Sequence, residues 1–192
     1  VGASHAGTQL ALSLRQGGWT GRIVLVGDEP VNPYQRPPLS KGILSGEKTL
    51  ENIPIRPASV LETAGIELML GRRVESIERS AKTLSMDDGS TLAYDKLALT
   101  LGAHPATIPL TGSDKHGVHY LRNLADVDQI RPFLGPGNSA VIVGCGYIGL
   151  EAGAVLHQLG MRVTVLEALP RVLQRVTAPV VSAFYERLHD EE

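Results

Sequence analysis

The sequence carries one glycine-punctuated unit twice, and that repeat limits the fold more tightly than any other feature. Laid over residues 143–161 without a gap, residues 1–19 match Val1 with Val143, Gly2 with Gly144, Gly7 with Gly149, Leu14 with Leu156, Gln16 with Gln158 and Gly18 with Gly160. In each copy the glycine loop runs into small and apolar residues at helical spacing, Leu10, Ala11 and Leu14 in the first and Ile148, Ala152, Val155 and Leu159 in the second. A glycine turn follows, then an apolar strand at 22–26 or 162–166, closed by Asp28 or Glu29 in the first copy and Glu167 in the second. This order is βαβ grammar, so the expected class is α/β: two Rossmann-like units in three layers about parallel sheet. Only Val1 stands before Gly2, and 183–192 read as a helix without a stop signal, so both units are expected to be incomplete.

The residue types follow from the chemistry of holding a dinucleotide. The first glycine of Gly-x-Gly-x-x-Gly permits the tight turn, the second lets backbone amides approach a pyrophosphate, and the third lets helix and strand pack closely. The helix N-terminus then faces the phosphates. Gly144, Gly146 and Gly149 supply the full set in the second copy, with strand before, helix and strand after, and Glu167 at the end. A carboxylate there accepts hydrogen bonds from a ribose diol and repels the extra phosphate of NADP, so Glu167 favours NADH over NADPH. The first copy has Gly2 and Gly7 but places Ser4 where the second glycine belongs. Ser4 invites a rival reading as a hydrolase nucleophile, but that elbow is Gly-x-Ser-x-Gly, and Ala6 stands where its closing glycine is required.

Composition removes other classes. The formal net charge is −2 with Lys and Arg spread along the chain, so nucleic acid is not an expected partner. The longest apolar stretch, 140–150, is broken by three glycines and falls short of the roughly 20 residues a bilayer crossing needs, so no membrane is expected. One cysteine, Cys145, forms no disulfide within the chain, and no leader precedes the first motif, which makes a reducing cytoplasm the simplest compartment.

Between the repeats lies Pro33-Tyr34-Gln35-Arg36-Pro37-Pro38-Leu39-Ser40-Lys41. With the flanking glycine motifs, Val26-Gly27-Asp28-Glu29-Pro30, the hairpin signal Asp87-Asp88-Gly89, Tyr94-Asp95-Lys96-Leu97 and Tyr120-Leu121-Arg122, this segment resembles the FAD-dependent ferredoxin reductases of oxygenase electron-transfer chains, within the pyridine nucleotide-disulfide oxidoreductase superfamily. The resemblance implies an N-terminal part of an FAD-binding domain over 1–104 and the N-terminal part of an inserted NAD-binding domain over 105–192. It implies FAD and NADH as cofactors, a small iron–sulfur ferredoxin as electron acceptor, and an enzyme in which hydride passes from nicotinamide to flavin and electrons leave singly.

Carried over by position, the resemblance puts Gly2, Ser4, Ala6 and Gly7 in the FAD pyrophosphate loop, Asp28 at the adenosine ribose and Lys41 beside the isoalloxazine, with Val74 and Arg122 as further flavin contacts. Gly144, Gly146, Ile148 and Gly149 take the NADH pyrophosphate, Glu167 the ribose, and Glu151 lies near the nicotinamide. Lys41 and Glu151 are the catalytic candidates, each with an ordinary alternative: a solvated loop lysine, and a carboxylate placed in a first helical turn by the helix dipole. Thr100-Leu101-Gly102 departs from the family's usual Ala-Thr-Gly, setting Leu101 where a small hydroxyl packs near flavin.

Two further readings belong to other classes: a nucleotide-regulated interaction module resembling the apoptosis-inducing factors, and an inactive fragment. With no cysteine near Lys41, the disulfide-reductase branch is not expected. His116 and His119 have a spacing seen in metal sites, but nothing completes a ligand set, so no metal is expected. Arg56, Arg72 and Arg73 are candidates for docking an acidic ferredoxin, with ordinary solvated surface arginines as the alternative.

Overall fold

The structure, a computed structural model, describes residues 1–191. In chain order its elements are α1 (His5–Gln16), β1 (Ile23–Gly27), α2 (Gly42–Ser45), α3 (Ala58–Thr63), β2 (Ile66–Leu70), β3 (Val74–Glu78), β4 (Thr83–Met86), β5 (Thr91–Ala93), α4 (Leu124–Ile130), β6 (Ser139–Val143), α5 (Tyr147–Gln158), β7 (Arg162–Leu166) and α6 (Pro179–Glu191). Short 3-10 turns lie at Pro37–Ser40, Leu50–Asn52 and Arg131–Phe133. The residues sort into two compact units, Val1–Gln35 with Leu50–His104, and Arg36–Thr49 with the chain from Pro105 onward.

In the first unit β1 and β2 pair in parallel, Ile23 opposite Ile66 through Gly27 opposite Leu70. Successive strand residues point to opposite faces, and β1 shows what that achieves. Leu25 packs with Ala11 and Leu12 of α1, Leu61 of α3 and Ile66, while its neighbour Val26 packs with Leu84 and Met86 on the other side. That second side belongs to the antiparallel sheet β3–β4–β5, closed between β4 and β5 by the expected Asp87-Asp88-Gly89 turn, where Gly89 has φ +81°. Helices, parallel strands and antiparallel sheet therefore form three layers. Burying a side chain such as Leu84 or Met86 of β4 is worth about 1.5–3 kcal/mol, so the antiparallel sheet is a substantial part of this unit's stability.

The second unit repeats the parallel pair and its helix. β6 and β7 run in parallel from Ser139 opposite Arg162 to Val143 opposite Leu166, and β7 has the bounds expected from sequence. α5 lies over one face, with Gly153 against Ile142, Val163 and Val165. The other face carries Val141, Val143 and Leu166, all more than half exposed. α4 begins in a capping box: the Asn123 side chain accepts the Asp126 amide at 2.9 Å and the Asp126 carboxylate accepts the Asn123 amide at 2.9 Å. α6 starts at Pro179, earlier than the helix expected from 183, because proline suits a first helical turn, where its missing N–H has no partner to lose. Glu192 lies outside the described residues.

Packing does not follow chain order at Arg36–Thr49. This segment belongs with the later residues because α2 and the Pro37–Ser40 turn rest on α5. Leu39, Ile43 and Leu44 are buried.

Candidate functional site

The two glycine loops have nearly the same backbone. Gly2 has φ +108° and Gly144 φ +109°, a region that side chains with a Cβ rarely enter. The Gly2 amide donates to the Val26 carbonyl at 2.8 Å and the Gly144 amide to the Leu166 carbonyl at 2.7 Å, so each loop is hooked onto its closing strand. A Cβ on Gly7 meets the Gly2 carbonyl oxygen at 2.0 Å, and one on Gly149 meets the Gly144 oxygen at 2.0 Å. The third glycine of each motif is thus fixed by contact with the first. Ser4 and Gly146 are the helix N-caps, both extended, and the Ser4 side chain makes no capping bond.

The surroundings differ. A Cβ on Gly2 collides with the Thr100 carbonyl oxygen at 2.1 Å, whereas one on Gly144 or Gly146 meets nothing within 4 Å. Thr100 covers the first loop: its amide donates to the Val1 carbonyl at 2.8 Å, and its hydroxyl lies 3.0 Å from the Val1 oxygen and 2.9 Å from that of Gly2. The hydroxyl of the Thr100-Leu101-Gly102 run therefore serves the loop one residue earlier than the family pattern suggests, and Leu101 is exposed.

The closing residues differ too. Glu167 directly follows the strand residue that hooks its loop, and its carboxylate accepts the Cys145 amide at 2.8 Å and the Leu169 amide at 2.9 Å. Those amides, Leu169 before Cys145, hold the Glu167 carboxyl below the ordinary glutamate value against a smaller opposing effect of burial, so it is ionised at neutral pH. The corresponding place in the first unit is Gly27, where a Cβ would lie 2.6 Å from that of Ala3. The acid there is displaced to Asp28, which is exposed and 3.7 Å from Arg73. Ala6 is exposed on the first turn of α1. Val74 opens β3 and packs against the cluster around Val26, Leu84 and Met86.

Within the second unit, a cleft of about 270 Å³ is lined by Arg36, Pro37, Leu39, Ser40, Lys41, Leu121, Arg122, Ile148 and Glu151. It brings together four residues singled out from sequence: Lys41, Arg122, Ile148 and Glu151. Lys41 Nζ donates to Glu151 Oε2 at 2.5 Å and to the Pro37 carbonyl at 3.2 Å. Ser40 Oγ donates to the same Glu151 oxygen at 2.7 Å. Burial pushes the Glu151 carboxyl up, but the bonds from Lys41 and Ser40, with the charge of Lys41, outweigh it and leave the carboxyl below its ordinary value. Arg122 is anchored by its backbone: its amide donates to Asp126 Oδ2 at 2.7 Å and its carbonyl accepts Arg36 Nη1 at 2.9 Å. Sequence reasoning passed over Ser40, although it stands inside the motif that drew attention to Lys41; only the fold sets its hydroxyl against Glu151.

The remaining candidates resolve simply. Cys145 is buried, and burial, then the charges of Glu167 and Glu186, push its thiol above the ordinary range, so it is a poor nucleophile. His116 and His119 both lie tilted against Phe133, with ring centroids 5.2 and 5.1 Å away, and no group of metal-ligating side chains occurs among the described residues. Arg72 is paired with Asp88 at 2.8 Å. No helix among the described residues is long and apolar enough to cross a membrane.

Residues 1–192 match the family model described as pyridine nucleotide-disulphide oxidoreductase. The chain is 44% identical over 189 residues to a ferredoxin–NAD(P)(+) reductase of Sphingomonas sp, a match covering 98% of this chain and 46% of that protein. It is 42% identical over 194 residues to putidaredoxin reductase of Pseudomonas putida, covering 100% of this chain and 46% of the relative. The crystal structure of a covalent putidaredoxin reductase–putidaredoxin complex is similar at a TM-score of 0.91 and 42% identity, over 99% of this chain and 46% of that one. The chain thus spans about half the length of the curated relatives it matches.

Proposed function

The chain belongs to the pyridine nucleotide-disulphide oxidoreductase family, and from that premise we propose that it is the N-terminal part of a cytoplasmic, NADH-dependent FAD reductase that passes electrons to a small iron–sulfur ferredoxin of an oxygenase system. The observation that carries this reading is the pair of glycine loops built on one backbone, two sites of one kind, as a reaction between two dinucleotides requires. The open space at Gly144 and Gly146 fits a pyrophosphate at the start of α5, and Glu167 supplies the ribose acceptor. Gly2, Ser4, Ala6 and Gly7 form the matching cradle for FAD, with Asp28 as its ribose acceptor and Val74 as a further contact, while Arg122 lines the cleft that holds Lys41.

When bound, the flavin converts the two electrons of a hydride into single-electron transfers. The chain's own residues bind, orient and tune. Lys41 offers a cation able to stabilise negative charge developing on a ring system in the cleft. Glu151 holds that cation through the 2.5 Å bond and stays ionised near neutrality, so the pair presents a fixed dipole rather than a titrating base. Leu39, Leu121 and Ile148 supply the apolar lining that limits water. No side chain is required to give or take a proton.

The test uses the full-length protein. It should purify with flavin absorbance, be bleached anaerobically by NADH well before NADPH, and then reduce a small [2Fe–2S] ferredoxin. A protein that binds flavin but is not bleached by NADH overturns the proposal.

A further inference from the structure

We propose that Arg171 is a positioning residue for the second dinucleotide loop, acting through the backbone of Leu173. The inference rests on the reading of that loop as an NADH site. Leu173 is 3% exposed and packs against Cys145 and Leu150. Its amide donates to the Cys145 carbonyl at 3.0 Å, while the Cys145 amide is taken by Glu167 at 2.8 Å. Both backbone groups of the residue between Gly144 and Gly146 are therefore held from outside the loop.

Leu173 reaches Cys145 only by adopting φ +53°, a left-handed conformation costly for a leucine and kept only where the surroundings over-determine it. Arg171 supplies that constraint. Its Nη1 donates to the Thr177 carbonyl at 3.0 Å and to Ser182 Oγ at 2.6 Å, and its Nη2 donates to the Gln174 carbonyl at 3.2 Å. Ser182, itself buried, donates to the Val172 carbonyl at 2.6 Å. One guanidinium thus gathers 172, 174, 177 and 182 around Leu173, whose carbonyl accepts the Val176 and Thr177 amides at 2.9 and 3.0 Å. A loop ordered before its ligand arrives loses less entropy on binding, so the knot raises affinity without touching the nucleotide.

Arg171→Met and Arg171→Lys are compared with wild type in the full-length flavoprotein, reading NAD+ affinity by calorimetry, hydrogen exchange at the Leu173 amide, and the kinetics with NADH. The expected result for Arg171→Met is about a tenfold loss of NAD+ affinity, the scale of one lost charge-assisted hydrogen bond, with KM for NADH rising in step, kcat and flavin content unchanged, and Leu173 losing protection. Arg171→Lys keeps the charge but not the fork and should recover part of the affinity; if Arg171→Met does not fold, the lysine variant is read alone for the smaller loss. Unchanged affinity together with unchanged Leu173 protection overturns the positioning role. Absence of NAD+ binding in wild type instead overturns the function proposed above and is distinguishable on that ground.

Discussion

The loops at Gly2 and Gly144 start from the same backbone and end in different settings. Both begin with a glycine near φ +108°, and both bring their third glycine against the first. The first is roofed by Thr100 and its sheet is covered by β3–β5; the second is open, its sheet bare on the face of Val141, Val143 and Leu166, and its conformation held by Glu167 and Leu173. A short glycine motif therefore dictates a turn but not how that turn is stabilised. One copy relies on the irregular segment at Thr100, the other on a carboxylate and a knotted loop.

Substitutions made in pairs, one in each copy, break or sharpen this comparison. Gly7→Ala and Gly149→Ala should be the most damaging, because each new methyl group meets a backbone oxygen that cannot yield. We expect about 3 kcal/mol of destabilisation for each in denaturant unfolding, with Gly7 the worse because Thr100 Oγ1 and Leu25 also lie within 3.0 Å of its new Cβ. Tolerance of either change would show that its loop lacks this contact.

Glu167→Ala removes the proposed ribose acceptor and frees the Cys145 amide, so KM for NADH should rise by about tenfold and discrimination against NADPH should shrink. Its positional counterpart, Gly27→Ala, acts only through the clash with Ala3 and should lower stability without altering nucleotide preference. Unchanged kinetics with both nucleotides in Glu167→Ala would take the ribose role from this residue.

Lys41→Met tests the cleft. The Glu151 carboxyl, held below its usual value by Lys41 and Ser40, should move up, because burial then acts against fewer opposing bonds. In wild type the ion pair's contribution is present above the ordinary glutamate range and is lost as pH falls through the depressed value. In the variant Glu151 should protonate at higher pH, visible in a carboxyl carbon NMR titration, and the flavin potential should fall. A Glu151 titration and a potential that both stay put would return Lys41 to a solvated loop lysine.

Gly146→Ser should be the mildest change. The new side chain enters open space at an ordinary φ of −81°, so stability should shift by no more than about 0.5 kcal/mol, while NADH affinity should fall a few-fold because the group occupies the proposed approach of the pyrophosphate. The first copy carries that serine already, at Ser4. Ser4→Gly should therefore leave folding nearly unchanged, and a large loss of stability there would show that Ser4 has a structural part that Gly146 does not share.

The sequence by itself determined the two loop–helix–strand units, the class of fold and the place of each glycine. These are local matters: a left-handed turn, a helical period and a strand alternation are set by residues a few positions apart. It also marked Lys41 and Glu151 as separate candidates. Only the tertiary structure joined them, with Ser40, in one cleft, because the Arg36–Thr49 segment packs on α5 from more than a hundred residues away, and no local pattern encodes such a contact. The same holds for Thr100 over Gly2, for the Glu167 carboxylate on the amide of Cys145, and for the Thr100 hydroxyl on the Val1 carbonyl. In each case a side chain meets a backbone group whose position exists only once the chain has folded.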